Sequence, residues 1–77
     1  MSQLLGILIG FYMGVACHEE GRVTDGAMTR MIEVISENNL DALPDLHNFA
    51  RTIVAGKGSP PDAVCKNLEK AYGGRPA

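Results

Sequence analysis

Tryptophan is absent from this chain, and phenylalanine and tyrosine occur twice each. Aromatic rings bring the largest apolar areas to a core, so this core has to be built from aliphatic, small and methionine side chains. An excess of basic charge is also missing: seven Lys and Arg stand against nine Asp and Glu, a net charge of −2. Domains that bind nucleic acid carry a basic face that displaces counterions. Here Arg22, Arg30, Arg51, Lys57, Lys66, Lys70 and Arg75 are scattered, with a weak grouping only at Lys66, Lys70 and Arg75, so a nucleic-acid partner is not expected. Cysteine is scarce, Cys17 and Cys65 alone, where a secreted domain of this size usually carries more. The simpler reading is two free thiols in a cytoplasmic protein, with a Cys17–Cys65 bridge as the alternative. The paired C-x-x-C and H-x-x-x-H spacings of structural zinc sites are missing around Cys17, His18, His47 and Cys65, and no cofactor is expected.

Signatures of catalysis are equally thin. Cys65 falls in the first half of a predicted helix, where the dipole can lower a thiol pKa, but no base or oxyanion donor is marked out beside it. Gly56-Lys57-Gly58-Ser59 lacks the upstream Gly and the preceding strand of a phosphate loop. The chain reads as a non-enzyme.

What is present is an uncharged apolar run, Leu4 to Cys17, that carries Gly6, Gly10 and Gly14 four apart. Positions four apart share one helix face. Each Gly inside a helix costs roughly 1 kcal/mol against Ala, so a helix that keeps three is expected to recover that cost by close packing. The run is short for a membrane: fourteen residues at about 1.5 Å each give about 21 Å against a hydrocarbon core of about 30 Å. The leader Met1-Ser2-Gln3 lacks the positive charge of a signal peptide. Gly14-Val15-Ala16-Cys17 resembles a bacterial lipoprotein cleavage site, with Gly14 standing where such sites hold a larger aliphatic residue. A buried helix in a soluble protein is the leading expectation, and a peripheral or lipid-anchored helix the alternative.

Three amphipathic helices are predicted to follow. Thr24 or Asp25 caps the second, whose stripe is Met28, Met31, Ile32 and Ile35, and Asn38-Asn39 stops it. The third starts near Asp41 or Pro44, carries Leu46, Phe49, Ala50, Ile53 and Val54, and ends at Gly56. Ser59-Pro60-Pro61-Asp62 reads as the start of the fourth, with Ser59 as cap, and Val64, Leu68, Ala71 and Tyr72 as its stripe before Gly73-Gly74. The spans are 3–18, 25–38, 43–55 and 60–72. The fold class is therefore all-α: a single domain, residues 1–77, of four short helices in a compact bundle around a central apolar N-terminal helix.

His18, Glu19 and Glu20 in the first linker are the candidate metal ligands, by carboxylate and imidazole chemistry; a solvated acidic loop is the plain alternative. The segment Ala16-Cys17-His18-Glu19-Glu20-Gly21-Arg22-Val23 resembles the turn between helices of TerB-like tellurite-resistance domains. That resemblance implies an all-α, metal-binding module. The family has Asp before the Gly and an acid about five residues later, where this chain has Glu20 and Gly26.

The functional expectation is a small protein-binding regulator or inhibitor, of the kind bacteria and their phages encode, acting by helix association as a homodimer. Its expected interface is Leu4, Gly6, Ile7, Gly10, Phe11, Met13 and Gly14.

Overall fold

The apolar run does form a helix, α1, from Ser2 to Glu19. It ends where Gly21 adopts a left-handed φ of 75°. There the Arg22 amide returns to the Cys17 carbonyl and the Gly21 amide to that of His18, closing the carbonyls left free at a helix end. The structure, a computed structural model, describes residues 2–73; Gly74 and Arg75, named above as helix end and basic residue, lie outside them.

Helix α2, Asp25–Glu37, is capped by Thr24, whose hydroxyl accepts from the Ala27 amide at 3.2 Å. Its end repeats the logic of α1 with Asn39 as the left-handed residue, φ 57°. The Leu40 amide bonds the Ile35 carbonyl and the Asn39 amide that of Ser36, which brings Leu40 and Ile35 together in the core. Helix α3, Pro44–Lys57, has Pro at its start as expected. It runs through Gly56 to Gly58, φ 79°, so Gly58 rather than Gly56 is the cap.

Helix α4 departs further from its prediction. It starts at Asp62, not at Pro60. A residue before proline is pushed out of the helical region, so Pro61 keeps Pro60 out of the helix; Pro61 is itself extended, with ψ 154°, and the helix starts two residues later than expected. Ser59 is left outside the helix and caps nothing. The last turns, Glu69–Gly73, widen into a π-helix, which the sequence pattern does not mark.

Helix α1 packs against α2, α3 and α4, and α2 packs against the π-helical extension. Two core clusters sit toward opposite ends of α1. Leu8, Ile35, Leu40 and Ala50 form one, with Leu43 and Leu46 against it. Cys17, Val23, Ala27, Met28, Met31 and Cys65 form the other, with Leu68 and Tyr72 against it. Phe11 touches both.

The molecule is all-α among the described residues, with a radius of gyration of 11.9 Å, close to the about 11.5 Å of a compact chain of this length. Its extents are 36 × 28 × 18 Å. A thickness of 18 Å is less than two helix diameters of about 10–12 Å, so three neighbours cannot enclose α1. Among the residues of that helix whose burial is described, Leu8, Gly14 and Cys17 are buried, and Leu4 is exposed. The same thinness leaves Ile32, Phe49 and Ala71 outside, although each falls on its helix's apolar stripe.

Candidate functional site

The three glycines of α1 divide into two kinds. A side-chain carbon built on Gly14 would lie 2.5 Å from Met31 Sδ and 3.8 Å from Leu68 Cδ1. Gly14 therefore gives room to the side chains that close the seam between α1, α2 and α4. Among the described residues, a carbon built on Gly6 or Gly10 meets nothing within 4 Å. Those two glycines floor an open groove of about 170 Å³, walled by Ile7 and Phe11 of α1, Met31, Val34 and Ile35 of α2, and Leu68 and Tyr72. None of its lining residues carries a charge. Leu4, 41% exposed, lies one turn before Ile7. Met13 belongs elsewhere: it faces Val54, Pro60, Pro61 and Val64 in a depression beside the α3–α4 loop. The expected interface is thus brought together at Gly6, Ile7, Gly10 and Phe11, filled at Gly14, and separated from Met13.

This division has a measurable consequence. Gly10→Ala adds a helix-favouring carbon into open space, and is expected to stabilise by up to about 1 kcal/mol. Gly14→Ala forces the Met31 thioether to move, which offsets the same gain. In thermal melts of the dilute single chain, Gly10→Ala should rise by a few degrees, on the order of 4 °C, with Gly14→Ala below it. Equal melting temperatures would count against the packed and open assignments.

The two cysteines are joined. Cys17 and Cys65 form a disulfide with Cα atoms 5.6 Å apart, and the residues are 0% and 2% exposed. This corrects the reading of free thiols. It also removes the sulfur that a lipid anchor at Cys17 would need.

Around the bond, Arg22 organises a polar network. Its guanidinium pairs with Glu20, donates to Asp62 at 2.8 Å and reaches the Ser59 hydroxyl at 3.3 Å. Ser59 in turn donates to the second Glu20 oxygen at 2.8 Å. The Ser59 hydrogen bond, then the Arg22 guanidinium, holds the Glu20 carboxyl below the usual carboxylate range, and Glu20 first and Asp62 second raise Arg22. A carboxyl whose folded pKa is depressed contributes stability above its unfolded pKa, and loses it as the pH falls through the folded value. Ser59→Ala should move the Glu20 titration midpoint upward in a carboxyl-carbon NMR titration; an unmoved midpoint would remove Ser59 from the network.

Glu69 joins the π-helical extension to α2 in a similar way. Its carboxylate accepts from the Thr24 amide at 2.8 Å and from the Thr24 hydroxyl at 3.0 Å, placing negative charge at the positive end of the α2 dipole.

The candidate metal ligands do not converge. His18 Nε2 donates to Asp25 at 2.7 Å, Glu20 is held by Arg22 and Ser59, and Glu19 points to a depression shared with Tyr12 and Arg51. Among the described residues no group of three or more His, Cys, Asp or Glu side chains is placed to hold a metal. His47 is half-buried. Its Nε2 donates to the Leu40 carbonyl at 2.7 Å, so in the neutral ring Nδ1 accepts from the Tyr12 hydroxyl at 2.6 Å. Arg51 donates to the same hydroxyl at 3.2 Å and lies over the Tyr12 ring. This set ties α1 to α3 and to the loop before it. Sequence reasoning missed it because Tyr12 and His47 are 35 residues apart, with no local pattern to pair them.

No described helix is long and apolar enough to cross a membrane. Compared with known proteins, the chain matches no family model, no curated protein and no solved structure.

Proposed function

We propose that this chain is a non-enzymatic association module, a small regulator or inhibitor that binds another protein, and that its groove over Gly6 and Gly10 seats the same helix of a second copy. The observation that carries this reading is the open half of the glycine row. Two helix-interior glycines, each costing roughly 1 kcal/mol against Ala, meet nothing within 4 Å among the described residues. The groove around them is apolar and uncharged, so a second copy can close over it without burying a charge. With a net charge of −2, two copies repel each other little. A dimer would also cover Leu4, whose exposure in a thin fold is otherwise uncompensated.

We infer an oxidising compartment from the disulfide. Buried disulfides persist where the surroundings are oxidising, which supports this reading over the cytoplasmic one expected with free thiols.

Light scattering at tens of micromolar tests the dimer. The expected result is twice the chain mass for the parent and the single-chain mass for Gly10→Leu, which fills the groove. A parent of single-chain mass at that concentration would overturn the dimer, and a Gly10→Leu dimer would move the interface away from the groove.

A further inference from the structure

Helix α4 and its π-helical extension join one of the two core clusters. Cys65, Leu68 and Tyr72 enter the cluster of Cys17, Met28 and Met31, while Val64 faces Met13 and Val54. The other cluster, built on Leu8, Ile35, Leu40 and Ala50, takes nothing from them. Their polar ties are Arg22 to Asp62 and Thr24 to Glu69. Asp62 is 77% exposed, and exposed pairs of this kind hold little. The bond between Cys17 and Cys65 is the covalent tie of this segment to α1, beside the packing of α4 on α1 and of the extension on α2.

We propose that the Cys17–Cys65 disulfide is a redox latch, opened by a dithiol reductant, that releases residues 62–73 from the seam between α1 and α2 while α1, α2 and α3 stay folded. A thiolate of the reductant attacks one sulfur of the pair and expels the other as a thiolate, forming a mixed disulfide. The second thiol of the reductant then displaces the protein sulfur. Two electrons and two protons pass to Cys17 and Cys65, which become thiols, and the dithiol becomes a disulfide. Both cysteines are buried, so attack needs a prior opening of the segment, and the rate of reduction follows that opening. Release uncovers Met31, against whose cluster Leu68 packs, while Gly14 stays beneath the Met31 thioether. The apolar floor then extends from Gly6 and Gly10 over the exposed face of Met31. The latch rests on the covalent topology and the two half-cores, independently of what docks in the groove.

Hydrogen exchange of the full chain, with and without dithiothreitol as the dithiol, tests this. In the reduced protein, amides of residues 65–73 are expected to exchange near the rate of an unstructured chain, while the core amides around Leu8 and Ala50 keep at least about tenfold protection. Equal loss of protection throughout would show a staple of the whole fold and overturn the latch. Retained protection at 65–73 would overturn it as well. A second measurement keeps the disulfide intact. Leu68→Ala weakens the apolar packing of the segment, and should speed reduction of Cys17–Cys65 by dithiothreitol on the order of tenfold; an unchanged rate would contradict reduction through opening.

Discussion

Leu8→Ala is expected to lower the melting temperature by about 10–25 °C, corresponding to about 3 kcal/mol. Leu8 is 0% exposed and sits where α1 meets Ile35 and Leu40 from α2 and its C-terminal turn and Ala50 from α3. Truncation removes the transfer free energy of the lost carbons and leaves a cavity, because three helices and a Schellman turn cannot all close on the gap. A chain of this length holds about 4–12 kcal/mol in total, so a single core leucine accounts for a large part of it. Phe49→Ala is the matched control. Phe49 is 55% exposed, and its loss should stay within about 0.5 kcal/mol. Thermal unfolding followed by circular dichroism measures both. A Leu8→Ala midpoint within about 3 °C of the parent would show that this cluster is not the core of the α1–α3 end.

Replacing both cysteines by alanine is expected to cost about 4 kcal/mol and lower the melting temperature by about 15–30 °C. The bond spans 48 residues, and a loop of that size restricts the unfolded chain strongly in the chain-entropy account. Alanine is the right substitute because serine would place an unpaired hydroxyl at two buried positions. At low temperature the variant should keep the helical signal of α1, α2 and α3. Melting temperatures of the oxidised parent and the double variant within about 5 °C of each other would show that the bond adds little to stability.

Much of the helical plan is readable along the chain because its signals are local. Thr24 caps α2 through an amide three residues on, Asn39 ends it, and Pro44 begins α3. Even the misplaced boundaries have local causes. Gly58 outcompetes Gly56 as a cap because the helix continues to Lys57, and the second of two prolines delays α4. The candidate site was half legible. Gly6, Ile7, Gly10 and Phe11 do line one groove. Met13 was misplaced because an all-apolar helix has no polar face by which to orient it.

By itself the sequence determined that the chain would be helical, which residues cap and stop α2 and begin α3, and that one helix would be apolar all round with a glycine row. Those properties depend on backbone preference and on hydrogen bonds spanning a few residues. Only the tertiary structure decided that Cys17 meets Cys65, that Ser59 serves Glu20 and Arg22 rather than a helix, and that His47 lies between Tyr12 and the Leu40 carbonyl. Each of these joins groups 35 or more residues apart, or redirects a residue from a local role to a distant partner. The glycine row shows the division most sharply. Its spacing is a fact of sequence, but its closure at Gly14 and openness at Gly6 and Gly10 come from an 18 Å slab in which too few helices are present to surround the one at the centre.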